Sequence, residues 1–242
     1  MFFSHRSLLL AVVIMFATVC SQVQAKAKAK AKADNFSEPA ELVYRSTAVY
    51  KRFLADPNMQ WFRNNVGTAR GILIVPQMLR GGFIIGGSGG RGLLVARDSA
   101  ANTWSSPAFY TIGSVSVGLQ IGGDASEIIL LILTERGLHA MLSTDYKLGA
   151  DVAIAAGPIG GSAKAQTADI LAFGRSQGAY GGLSVEGAVI TPQDDWNAQY
   201  YGQASVQLYD ILVSMKWNNP QADSLRQLLP KPKSNAARPA GR

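Results

Sequence analysis

One cysteine and two histidines in 242 residues exclude several kinds of chemistry at once. A single thiol makes neither an internal disulfide nor a cysteine-rich zinc site. No acidic run has the spacing of a calcium-binding loop, so neither a metal nor any other cofactor is expected. Charge is also sparse: Asp, Glu, Lys and Arg make up 16% of the chain, against 48% apolar residues. A disordered chain needs the opposite balance. Too few bases stand near the aromatics at 61–62 and 196–201 for stacking on nucleic acid, which is not an expected partner. The apolar run 8–19 has 12 residues, short of the ~20 that span a bilayer as a helix.

Glycine is plentiful. Of 25 glycines, 24 lie between Gly67 and Gly202. That density disfavours long helices. Between the glycines stand short apolar runs at 72–75, 83–85, 93–96, 109–112, 115–121, 128–133, 152–155, 170–173 and 183–190. Runs of this length bounded by turn residues read as strands. Val115, Val117, Leu119 and Ile121 alternate with polar or small residues, the pattern of a half-buried strand. Residues 127–134 do not alternate, which predicts a strand buried on both faces.

Helices are expected on either side of this region. Apolar pairs at 42/43, 49/50 and 53/54 recur at helical spacing, with Ser37 as a cap and Pro39 in the first turn. Asp56-Pro57 marks a second start, burying Met59, Trp61 and Phe62. Asp194 or Asp195 caps a helix carrying Trp196 and Tyr200, and residues 206–215 and 221–229 are amphipathic. The expected fold class is α+β: a glycine-rich, mainly antiparallel β-sheet or barrel-like core flanked by N-terminal and C-terminal helices.

The ends are different in kind. Residues 1–25 read as a signal peptide, with Arg6 before the apolar run and Val23-Gln24-Ala25 as cleavage site. Cys20 offers an alternative, lipoprotein-type anchor. Residues 26–36 form a basic low-complexity linker, 37–229 the folded domain, and 230–242 a basic, proline-containing tail. The expected location is therefore exported, periplasmic or envelope-associated. The formal net charge of +7 sits on the ends. Setting aside Arg6, the four lysines of the linker and the four basic residues after Pro230 leaves 14 basic against 16 acidic residues, about −2 for the body.

Two glycine motifs carry chemical possibilities. Residues 87–92 fit G-x-G-x-x-G, but a strand-like run follows where the dinucleotide fingerprint needs a helix. Residues 86–90 fit the nucleophile elbow G-x-S-x-G, with Asp124 or Glu135 and then His139 in the chain order of a serine hydrolase. That makes Ser88 and His139 the alternative, catalytic reading. Its competitor is a β-turn or bulge at 86–90 and a partly buried structural His139. Arg70, Arg80, Arg91 and Arg97 flank the predicted strands and present guanidinium forks suited to phosphate.

Several segments occur together in order: residues 70–76 (RGILIVP), 81–87 (GGFIIGG), 90–92 (GRG), 94–97 (LVAR), 103–107 (TWSSP), 118–122 (GLQIG), 155–160 (AAGPIG), 181–187 (GGLSVEG) and 200–202 (YYG). This combination resembles the SYLF domain, the lipid-binding module shared by bacterial exported proteins and eukaryotic endocytic proteins. The resemblance covers roughly residues 38–229. It implies a non-enzymatic, membrane-associated domain with an anionic phospholipid membrane as partner, and an envelope protein as an alternative one. Eukaryotic members bind phosphoinositides, and the yeast actin-patch members bind actin. The sequence departs from the family pattern at Gly161, where relatives often have arginine, and Arg175 is a candidate to compensate. The expected lipid- or phosphate-binding residues are Arg70, Arg80, Arg91, Arg97, Arg175, Lys26, Lys28, Lys30 and Lys32, with no catalytic residues.

Overall fold

The computed structural model describes residues 38–98, 103–143, 146–156, 167–176 and 187–231. Residues 1–25, expected as a signal peptide, the lysine-rich residues 26–36 with Lys26, Lys28, Lys30 and Lys32, the expected Ser37 cap, residues 157–161 and the residues after Lys231 lie outside the described residues.

The N-terminal helix α1 (Glu38–Ala55) follows the predicted apolar spacing. Val49, Tyr50 and Phe53 are fully buried, and Glu38 and Glu41 complement the helix dipole in its first turn. The Asp56 side chain then accepts from Asn58 N at 3.0 Å, capping the 3-10 turn Pro57–Met59 as the sequence predicts. The turn leads into α2 (Gln60–Asn65). Phe62 of α2 meets Phe53 edge-on at 5.7 Å and Phe173 at 5.3 Å. This cluster locks α1 and α2 onto the sheet, each pair contributing about 0.5–1.5 kcal/mol beyond simple burial.

The sheet departs most from expectation. The runs at 72–75, 83–85 and 93–96 are one strand, β1 (Gly71–Asp98). Those at 109–112, 115–121 and 128–133 are likewise joined in β3 (Ala108–Ile132), after the short β2 (Thr103–Trp104). Gly86 to Gly90 make no turn: each pairs with β3, in register with Ser116 to Ile112. Glycine marks a turn only where the chain leaves the ladder, and here a partner strand holds it extended. The irregularities fall instead between Val75 and Met78 and between Gly82 and Ile84. Val115 is 83% exposed, so the half-buried reading fails at that end of 115–121.

β1 also returns to its own beginning. Arg97 N donates to Arg70 O at 2.7 Å. A Cβ added at Gly92 would lie 2.8 Å from Ile74 O, and one at Gly90 still closer to Gln77 O. The two ends of β1 thus run side by side, and the sheet curls into a half-barrel. The order β2-β1-β3 continues through β6 (Ile170–Ser176) to β5 (Ile154–Ala156), which is parallel to β6. β7 (Val189–Pro192) pairs with β3 and with β4 (Tyr146–Lys147). Of the predicted runs 152–155 and 183–190, only Ile154–Ala156 and Val189–Pro192 are strands among the described residues.

As predicted, Ile128 to Ile132 are fully buried. Ile129 and Leu131 enter the core beneath α1 and α2, while Ile128, Leu130 and Ile132 enter a second core on the other face. That second core is covered by α3 (Glu135–Met141) and α5 (Leu208–Leu212); α4 (Asp194–Tyr201) lies between them in the chain. Thr134 caps α3, accepting from Gly137 N at 3.0 Å and donating to buried Asp169 at 2.6 Å. Asp169 also pairs with Arg136 and accepts from Ala153 N at 2.9 Å. Burial opposes its ionisation, but these partners prevail and hold its carboxyl below the usual value.

The C-terminal helices are shorter than their amphipathic patterns. Only Leu208–Leu212 is helical within 206–215, and 221–229 contains a 3-10 turn (Pro220–Ala222) and α6 (Asp223–Arg226). Side-chain contacts set these ends: Asn219 caps the 3-10 turn through Gln221 N and also donates to Tyr200 O at 2.9 Å. Asp194 and Asp195 stand in the first turn of α4, and the cap position is Gln193. Buried Asn197 fixes α4 by accepting from Phe109 N at 2.9 Å. No described helix is long and apolar enough to cross a membrane.

Candidate functional site

The predicted arginines fall into separate groups. Arg70 and Arg97 meet where the ends of β1 come together. Arg70 pairs with Glu135 at 2.6 Å, and Arg97 donates to Gly67 O at 2.9 Å with its guanidinium 5.9 Å from the Trp104 ring. Burial, with a smaller contribution from the Arg70 charge, lowers the Arg97 pKa. The Arg97 side chain ties the end of β1 back to Gly67, and the Arg70 side chain is engaged by Glu135 of α3. Arg80 is exposed on β1, in register with Asp124 of β3.

Arg91 and Arg175 instead line two open grooves beside α1. The first, about 460 Å³, is walled by the first turns of α1, by Pro76 and Gln77 of β1, and by Arg91. Arg91 lies 4.7 Å from the ring centre of Trp196, which α4 holds against Phe109. The second groove, about 610 Å³, holds Arg45, Arg52, Arg175 and Glu127. Arg45 and Gln77 line both, joined by a hydrogen bond of 3.1 Å. Arg52 forks onto Glu127 at 2.6 and 3.3 Å, and Arg175 stands 3.8 Å from Asp56. Two large apolar side chains stand exposed here, Tyr44 at the second groove and Leu79 at the first.

Arg45, Arg52, Gln77 and Trp196 were not among the expected site residues. Arg45 and Arg52 are seven apart, two turns on one face of a helix that was recognised. The signal was present, but nothing local to α1 indicates that this stripe faces Arg175, more than a hundred residues later.

Ser88 lies within β1, and its Oγ is 2.8 Å from Ser114 Oγ on β3. The strand continues to Asp98, so the strand–turn–helix of a nucleophile elbow is not formed. His139 is exposed in the last turn of α3, not partly buried as expected. Among the described residues, no group of three or more His, Cys, Asp and Glu side chains is placed to hold a metal.

A curled, mainly antiparallel sheet between terminal helices, with an open basic groove against the first helix, defines a mixed α/β domain. Residues 113–231 match the Ysc84 family, described as Las17-binding protein actin regulator. The chain is 27% identical over 170 residues to human SH3 domain-containing YSC84-like protein 1, covering 68% of this chain and 49% of that protein. The corresponding Xenopus laevis protein is 25% identical over 170 residues, covering 68% and 50%. Protein YSC84 of Saccharomyces cerevisiae is 28% identical over 169 residues, covering 66% and 36%. The chain thus spans half or less of the length of these relatives. No solved structure matches it.

Proposed function

We propose that this is an exported, envelope-located and non-catalytic protein that binds membranes through anionic phospholipid headgroups, with the two grooves beside α1 as the recognition face. The observation that carries this reading is the second groove, where three guanidiniums share the lining with Glu127 and Asp56 stands 3.8 Å from Arg175. Arg45 and Arg175 supply forks suited to phosphate oxygens. Tyr44 and Leu79 beside them suit shallow insertion below the headgroups. The body is about −2 overall, so its attraction to an anionic surface must be local. The lysines at 26, 28, 30 and 32 add a non-specific attraction of about 1 kcal/mol per lysine near the surface.

Vesicle flotation at two salt concentrations tests the division of labour. Deleting residues 26–33 should weaken binding to every anionic lipid about equally and flatten its salt dependence. Replacing Arg45 and Arg175 by alanine should change the preference between phosphatidylglycerol and cardiolipin. Replacing Arg80 and Arg91 should also alter preference, with Arg91 responsible. If deleting residues 26–33 abolishes all binding and none of the arginine changes has an effect, the grooves are not the site.

A second reading is favoured by the family description itself, which names a protein partner and actin regulation. On that reading the same exposed face docks an envelope protein. Crosslinking would then capture a protein whether or not lipid is present.

A further inference from the structure

We infer that the groove containing Arg91 takes a zwitterionic headgroup with a primary ammonium beside a phosphodiester, as in phosphatidylethanolamine. This rests on the lipid-binding reading above and narrows one of its two grooves. The second groove is cationic, but the first is balanced: Glu38 and Glu41 share its lining with Arg45 and Arg91. A simple anion would satisfy the arginines and be repelled by the carboxylates. A zwitterion satisfies both.

The charges are only loosely paired with one another. Glu41 and Arg45 approach only to 4.0 Å, too long for a hydrogen bond, so each keeps capacity for a ligand. Two contacts hold the guanidiniums in place. Arg45 donates to Gln77 at 3.1 Å, and Arg91 lies over the Trp196 ring. The short ethylene spacer of ethanolamine keeps ammonium and phosphate close, matching an acid and a base one helical turn apart on α1. An ammonium brings three N–H donors to the carboxylates. A trimethylammonium brings none and seeks a bare aromatic face, whereas Arg91 already covers one face of Trp196.

The test is calorimetric titration of the full chain with water-soluble, short-chain phosphatidylethanolamine, phosphatidylcholine and phosphatidylglycerol below their micelle concentrations. The ethanolamine lipid should bind about tenfold more tightly than the choline lipid, the scale of one charge-assisted hydrogen bond. The paired change Glu38→Gln and Glu41→Gln should remove that advantage without weakening phosphatidylglycerol binding, with an unchanged circular dichroism spectrum. Arg91→Ala should weaken the ethanolamine and choline lipids together. Glycerophosphoethanolamine should compete and inorganic phosphate should not, which separates a headgroup site from a phosphate site. Equal binding of the two zwitterionic lipids, or an advantage that survives the glutamine changes, overturns the inference while phosphatidylglycerol binding keeps the broader reading. Failure of all three lipids to bind overturns both.

Discussion

Replacing Gly92 by alanine should destabilise the protein by about 3 kcal/mol, at the upper end of the range for overpacking a tight core. The new methyl would sit 2.8 Å from Ile74 O and 2.8 Å from a Val75 methyl. Both are closer than Cβ atoms come to such neighbours. The carbonyl cannot rotate away as a side-chain end could, because Ile74 is paired with Ile129 in β3. Relief therefore requires the two ends of β1 to separate, which also strains the 2.7 Å bond from Arg97 N to Arg70 O. Gly81 is the control. It lies in the same strand, is exposed, and an added Cβ there meets nothing within 4 Å. Gly81→Ala should be neutral or stabilising by up to about 1 kcal/mol, since it restricts the unfolded chain. Thermal and urea denaturation measure both variants. For a domain of this size, about 3 kcal/mol corresponds to a fall of roughly 6–12 °C in Tm. If Gly92→Ala unfolds with the wild type while Gly81→Ala falls below it, the fold-back of β1 is wrong.

Other outcomes follow from single contacts. The Asp169 carboxyl titrates below its unfolded value, so the stability it contributes is present above pH ~4 and is lost as pH falls through the folded pKa. Asp169→Asn should lower stability near neutral pH and flatten the acid limb of a denaturation-versus-pH curve; an unchanged limb would show that the Arg136 and Thr134 partners do not hold the charge. Asn197→Ala removes the acceptor for buried Phe109 N and should cost about 1–3 kcal/mol by urea denaturation. Ser88→Ala should leave lipid binding intact and give the same short-chain ester turnover as the wild type. A turnover present only in the wild type would restore the hydrolase reading.

Much of the local architecture was legible because local physics sets it. The 3.6-residue spacing of α1, the Asp56-Pro57 start and the unbroken apolar run 128–133 each depend on neighbours in the chain, and each stands where the sequence predicts. Glycine density indicated β structure correctly. It could not separate a turn from a close approach, because both need a residue without Cβ. Residues 86–90 became strand, and Gly92 is required by Ile74, eighteen positions earlier. The same limit applied to the site. Five arginines looked equivalent in sequence. In the fold Arg97 bonds Gly67 O and Arg70 pairs with Glu135, Arg80 is left exposed, and Arg91 and Arg175 stand beside separate grooves against α1. Arg45, shared by both grooves, acquires its place only when α1 packs on the sheet. Periodicity and capping are thus properties of the sequence itself, whereas the grouping of charges depends on register and long-range packing, which exist only in the folded chain.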